Sequence, residues 1–125
     1  MTLPVVAIFV AKLGFEQKLE TLFRSVVETT LREEGCISYQ VNRDMANPRR
    51  FVFTEEWRSQ ADLDRRLAAP HLQMLSEQVP ECIESSDVLL LAKLAGGAAI
   101  DSIHVDGFME GPLEVPKRML ALSTD

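Results

Sequence analysis

The sequence predicts an α+β domain whose elements run β-α-β-β-α-β. Three observations carry this. The apolar pattern alternates between short strand-like runs and segments with the 3.6-residue period of a helix. Two strand-like runs, 36–44 and 51–58, are separated by little more than the turn signal "MANP". A further strand-like run stands at each end of the series, at 5–12 and 87–94. This order is that of a split-βαβ, ferredoxin-like fold, with helices on one face of a four-stranded antiparallel sheet.

The first strand, Val5 to Lys12, is rich in Val, Ile and Phe and does not alternate with polar residues, so it reads as buried on both faces. Gly14 breaks the chain. Phe15, Leu19, Leu22, Phe23, Val26, Val27 and Leu31 then mark the buried stripe of an amphipathic helix, which Gly35 ends through a left-handed cap. Cys36 to Asp44 is the second strand, with Ile37, Tyr39 and Val41 on one face and Ser38, Gln40 and Asn42 on the other. Phe51 to Arg58 is the third, where Phe51, Phe53, Glu55 and Trp57 share a face. The short connection makes these two a hairpin. Ser59 opens the next helix, and Asp62 three residues on resembles a capping box. Leu63 and Leu67 mark its buried side. Pro70 suits the first turn of a shorter helix with Leu72, Leu75 and Val79 inside, and Pro80 closes it. Asp87 to Leu94 is the fourth strand. Strands one and four are apolar on both sides, so the uncovered sheet face requires a partner, and a second copy of the chain is the simplest one.

After Gly96-Gly97 the composition changes. Residues 98–125 are too apolar for a disordered tail. The domain is therefore assigned to 1–95, and 96–125 to an arm that packs on the body or clasps the partner protomer. His104 in that arm reads as structural.

The totals fit one soluble domain: 125 residues, 46% hydrophobic and 26% charged. Lysine and arginine number 13 against 19 acids, a net charge of −6, which excludes a nucleic-acid partner because phosphate binding needs clustered cations. Arg49-Arg50 and Arg65-Arg66 are too short to reverse this. Cys36 and Cys82 form no CxxC, so neither a metal site nor a disulfide framework is expected. The N-terminal "PVVAIFVA" is too short for a signal peptide and lacks a basic region. No stretch approaches the roughly 20 residues of a membrane span. A cytoplasmic location is expected, with no membrane partner.

Three segments, "EEGCISYQVNRD", "NPRRFVFTEEW" and S-x-x-D-L-x-x-R-L-x-A-P-H, resemble the antibiotic biosynthesis monooxygenase domain, a dimeric α+β barrel family that includes quinol monooxygenases. The resemblance covers residues 4–94. It implies a homodimer, and in each protomer a pocket between sheet and helices. It also implies oxygenase chemistry without metal, flavin or other cofactor, in which a deprotonated phenol, quinol or anthrone supplies the electrons to oxygen. In the family's H-x-x-S-P-H segment the second histidine is His71, but Arg66 replaces the first. Arginine stays protonated, so it holds an anion rather than accepting a proton. The haem-degrading branch is not matched: no histidine follows His71 on its helical segment, and the first strand has no asparagine.

The expected function is a cofactor-free monooxygenase of small aromatic or quinol-like substrates. His71 would accept a proton or orient a partner, and Arg66 would stabilise developing negative charge. Trp57, Tyr39, Phe53 and Phe9 would wall an apolar cavity. Glu55 is a further contact, best read as paired with an arginine and otherwise as a base, and Asn42 is a surface, interface or ligand residue. Cys36 follows a helix C-terminus and two glutamates, which disfavours a thiolate, so it reads as packing rather than nucleophile. The alternatives are a non-catalytic dimeric module that binds a small ligand or acts as a scaffold, and an isomerase or decarboxylase of a small metabolite.

Overall fold

A computed structural model describes residues 1–99 of the chain. Met1–Leu94 forms one compact unit, which ends before Ala95, and every regular element described lies in it. The arm expected over 96–125 falls almost wholly outside the described residues, as does His104. The elements are β1 (Leu3–Ala11), α1 (Glu16–Ser25), α2 (Val27–Leu31), β2 (Cys36–Asp44), β3 (Asn47–Trp57), α3 (Gln60–Leu67), α4 (Pro70–Gln78), a 3-10 turn (Val79–Glu81) and β4 (Ile83–Leu90). The strands form one four-stranded antiparallel sheet in the order β2-β3-β1-β4. This is the ferredoxin-like α+β arrangement.

The sheet register sets which side chains meet the helices. One cross-sheet row runs Leu90, Val5, Glu55, Tyr39, and the next runs Val88, Ala7, Phe53, Val41. Val5, Ala7, Tyr39, Phe51, Phe53 and Trp57 on this face are buried, together with Leu19 and Phe23 of α1 and Leu63 of α3. Phe23 anchors α1 to the sheet. Its ring lies 4.8 Å from that of Phe53, 5.0 Å from Phe9 and 5.6 Å from Phe51, tilted or edge-on in each case.

Several expectations are corrected. The helix from Phe15 to Leu31 is two helices that break at Val26. The Ser25 hydroxyl donates to the Leu22 carbonyl at 2.6 Å, and Val26 N–H makes an i→i+3 bond to Phe23. A serine competing for backbone bonds before two β-branched residues is a weak point in a helix. The break turns Leu31 outward and buries Thr30, whose hydroxyl donates to the Val26 carbonyl at 2.6 Å. Ile37 is exposed rather than aligned with Tyr39, because the β2–β3 register shifts between Cys36 and Ser38. The turn is tighter than "MANP": Asp44 pairs with Asn47, so β3 begins at Asn47, and Pro48 falls where the register shifts again. β4 starts at Ile83 instead of Asp87. Its polar residues Glu84, Ser85 and Ser86 suit an exposed sheet edge, so the apolar run alone misplaced the strand by several residues. Leu67 is exposed, not buried.

Ser59 caps α3 as expected, accepting from Asp62 N–H at 3.2 Å. Among the described residues, no helix is long and apolar enough to cross a membrane.

Candidate active site

Between the sheet and helices α3 and α4 lies a cavity of about 590 Å³. The helix-facing side chains of β1, β3 and β2 form its floor, and α3, α4 and the 3-10 turn form its roof. Its wall is largely apolar. The charged groups on it are Arg66 and Glu55, and the other polar side chains are Tyr39, Gln60 and Ser76.

Arg66 is only 4% exposed. A buried cation is costly unless its charge and donors are met. Here its guanidinium donates to the Tyr39 hydroxyl at 2.6 Å and to the Glu33 carboxylate at 3.2 Å. It also lies 4.8 Å from the centroid of the Tyr39 ring and 5.7 Å from that of Trp57. Burial pushes the Tyr39 phenol far above its ordinary range, and the nearby Arg66 charge offsets this only in part. Tyr39 therefore stays a neutral phenol whose oxygen accepts from Arg66.

Glu55 accepts from the Trp57 indole N–H at 2.8 Å. Its expected partner was an arginine, yet Arg66 pairs with Glu33 instead. Burial raises the Glu55 pKa, with the indole hydrogen bond and the Arg66 charge opposing the shift.

The expected site residues separate into two groups. Phe9, Tyr39, Phe53, Glu55 and Arg66 line the cavity together. Trp57 is fully buried behind the wall and reaches the cavity only by holding Glu55. Asn42 is exposed beside a different, shallow recess, and its amide donates to the Val52 carbonyl at 3.2 Å. His71 lines a third recess between α1, α2 and α4. Its Nε2 is buried without a hydrogen bond, 3.6 Å from the Glu33 carboxylate. The second position of α4 points the imidazole toward α1 and α2, away from the cavity. Glu33 is the residue that sequence reasoning did not select. An acid just past the C-terminus of α2 opposes the helix dipole, and that local misfit was the available signal.

Cys36 is half-buried, and burial pushes its thiol up. Cys82 is fully buried. Both behave as packing residues.

The family model for antibiotic biosynthesis monooxygenase matches residues 3–78. The chain belongs to this family. Over 77 residues it is 32% identical to the probable quinol monooxygenase YgiN of Escherichia coli K12, covering 55% of this chain and 74% of that protein. It is 29% identical over 80 residues to the uncharacterized protein sll1783 of Synechocystis, covering 64% of this chain. The chain spans only about half (54%) of that relative's length. The crystal structure of protein SO0527 from Shewanella oneidensis superposes with a TM-score of 0.70 at 34% identity, over 72% of this chain and 88% of that one. The antibiotic biosynthesis monooxygenase fold thus accounts for the sheet and its helices.

Proposed function

We propose that the chain is a cofactor-free monooxygenase of small aromatic alcohols of the quinol or anthrone kind. The observation that carries this is a cavity of about 590 Å³ whose largely apolar wall holds one buried cation, Arg66, and one carboxyl, Glu55. A dry site with a poised base and a fixed cation can form and hold an oxyanion.

Glu55 takes the proton of the substrate hydroxyl, since a raised pKa makes it a stronger base than an ordinary carboxylate. Arg66 holds the resulting oxyanion. The electron-rich ring carbon then bonds to oxygen and is oxidised, giving a peroxide. The O–O bond breaks as water leaves. One oxygen atom stays on carbon, the other departs with two substrate hydrogens, and Glu55 returns its proton to the departing oxygen. A naphthalenediol plus O₂ thus gives a hydroxyquinone plus water, with the substrate as the only reductant.

His71 stands outside the cavity, so it serves in this reading as an orienting group acting on Arg66 through Glu33. A second copy of the chain covers the outer sheet face.

Oxygen uptake with menadiol and with anthrone, measured against autoxidation, tests the proposal. An excess rate that disappears in Glu55→Gln supports it; autoxidation rates across both substrate types overturn it. A non-catalytic binding module is the second reading. It is favoured by the absence of histidine from the cavity lining among the described residues and by the pairing of Arg66 with Glu33. It predicts that the same compounds bind without any excess uptake.

A further inference from the structure

The polar groups of the cavity are not spread around it. Tyr39 and Glu55 lie at the β2–β3 end of one sheet row, whose β1–β4 end is Val5 and Leu90. Arg66 bonds Tyr39 at the polar end. The other two polar lining side chains are engaged along their own helices. Gln60 donates to the Asp64 carboxylate at 3.0 Å, and the Ser76 hydroxyl donates to the Gln73 carbonyl at 2.8 Å.

Exposure is graded as well. At the polar end Arg66 is 4% and Tyr39 5% exposed. Leu67 at 55%, Val88 at 56% and Leu90 at 52% are exposed lining residues, as are Pro80 and the polar Gln60 and Ser76. Val88 and Leu90 pair with the buried Ala7 and Val5, so they face the helices, but β4 is the last strand and, among the described residues, no strand flanks its outer edge. The charged end of the cavity is therefore buried, while along β4 and the end of α3 the cavity opens across apolar side chains. Its volume lies within the range of drug-sized ligand sites, about 300–1,000 Å³.

We propose that the cavity is a one-ended site: it takes an aromatic alcohol hydroxyl-first, with an alkyl extension on the far side of the ring leaving across Leu67, Val88 and Leu90. This rests on the cavity being the substrate site and adds the class and orientation of the ligand. The charged end meets the only ionisable group, and the exposed leucines and valine are covered by the extension, which removes apolar surface from water.

Calorimetry with 1-naphthol and with naphthols carrying alkyl chains of one to six carbons tests this without depending on turnover. Chains on the ring remote from the hydroxyl tighten binding roughly threefold per methylene over the first few carbons. The same chains placed next to the hydroxyl weaken it, because they collide with the closed end. In the double variant Val88→Thr/Leu90→Thr the gain per methylene flattens. Thermal melting monitors folding of this variant, whose two sites are exposed and keep strand-compatible side chains. A Kd independent of remote chain length, or equal tolerance of both positions, overturns the proposal. So does a chain-length response that the double variant leaves intact. A chain-length response without oxygen uptake supports the one-ended site while removing the monooxygenase reading.

Discussion

Glu55 carries a stability signature that is separate from turnover. Its native pKa is raised above the ordinary value of 4.5. Between 4.5 and the raised native value, the folded state binds more protons than the unfolded chain, so stability falls as pH rises through that window and is flat above it. Glu55→Gln removes this titration and keeps an acceptor for the Trp57 indole. The difference between wild-type and variant unfolding free energies, from urea titrations at several pH values, should shift in favour of the variant as pH rises through the window. The same substitution should lower the turnover rate by about 100-fold or more if Glu55 is the base. Arg66→Lys keeps the charge but loses the planar fork that serves Tyr39 and Glu33 together. Oxygen uptake should fall about 100-fold, with the loss in kcat rather than KM alone. At this scale the sequence was legible where a side chain's face follows from strand alternation, as for Phe53 and Glu55, or from a motif, as for Arg66. Glu33 was not legible, because its partner Arg66 lies 33 residues away on another element. Nor was the direction of His71, which depends on how α4 is rolled against α1 and α2.

At the scale of elements, the junction between α2, β2 and α3 is closely packed. Gly35 sits at φ +85°, and a Cβ there would lie 2.2 Å from Asp62 Cγ. Asp62 cannot retreat: it accepts from Arg58 at 2.9 and 3.0 Å, from Arg65 at 2.8 Å and from the Ser59 hydroxyl at 2.7 Å. Gly35→Ala combines a left-handed backbone with a steric clash and should cost about 2–4 kcal/mol, read by urea denaturation. Asp62 itself is held well below the usual carboxylate range, chiefly by Arg58. Its contribution is present above its unfolded value near 3.8 and is lost as pH falls through its lower native value. Asp62→Asn should therefore destabilise at pH 7 and converge with the wild type under strong acid. The sequence signalled both ends of this junction, Gly35 as a stop and Ser59 with Asp62 as a cap, but not that they touch. Local pattern specifies a cap; the approach of two caps is a tertiary fact. The same reasoning covers β4, whose start is fixed by the Lys12 N–H bond to the Cys82 carbonyl at 2.8 Å and not by its own apolar run.

For the molecule as a whole, the outer sheet face is where the proposed dimer is tested. Val6, Ile8 and Val10 of β1 and Val52 and Thr54 of β3 form its centre, with Arg50 beside Val10; β2 contributes Ser38, Gln40 and Asn42, and β4 contributes Ser85, Asp87 and the apolar Leu89. An antiparallel sheet that faces water alternates apolar with polar along each strand. Here β1 does not alternate, and its apolar row continues to Leu89 of β4, while β2 brings polar residues to the far edge, as at the rim of a protein interface. This pattern was legible from β1 alone, because eight consecutive residues without a charged side chain need cover on both faces. A self-complementary contact of ordinary size buries about 800 Å² per partner. Sedimentation equilibrium should give twice the 14.0 kDa chain mass at micromolar concentration, and the melting temperature should rise with protein concentration. Ile8→Asp places a charge at the centre of the face without touching the cavity, and should yield a folded monomer or a dimer weakened by at least tenfold. A wild-type chain that stays monomeric at high micromolar concentration would leave that central row facing water, and the dimer would have to be abandoned. The cavity lies on the opposite face, so an Ile8→Asp monomer that still binds naphthol with unchanged Kd would place the whole ligand site within one chain. A parallel loss of binding would instead assign part of its rim to the second copy.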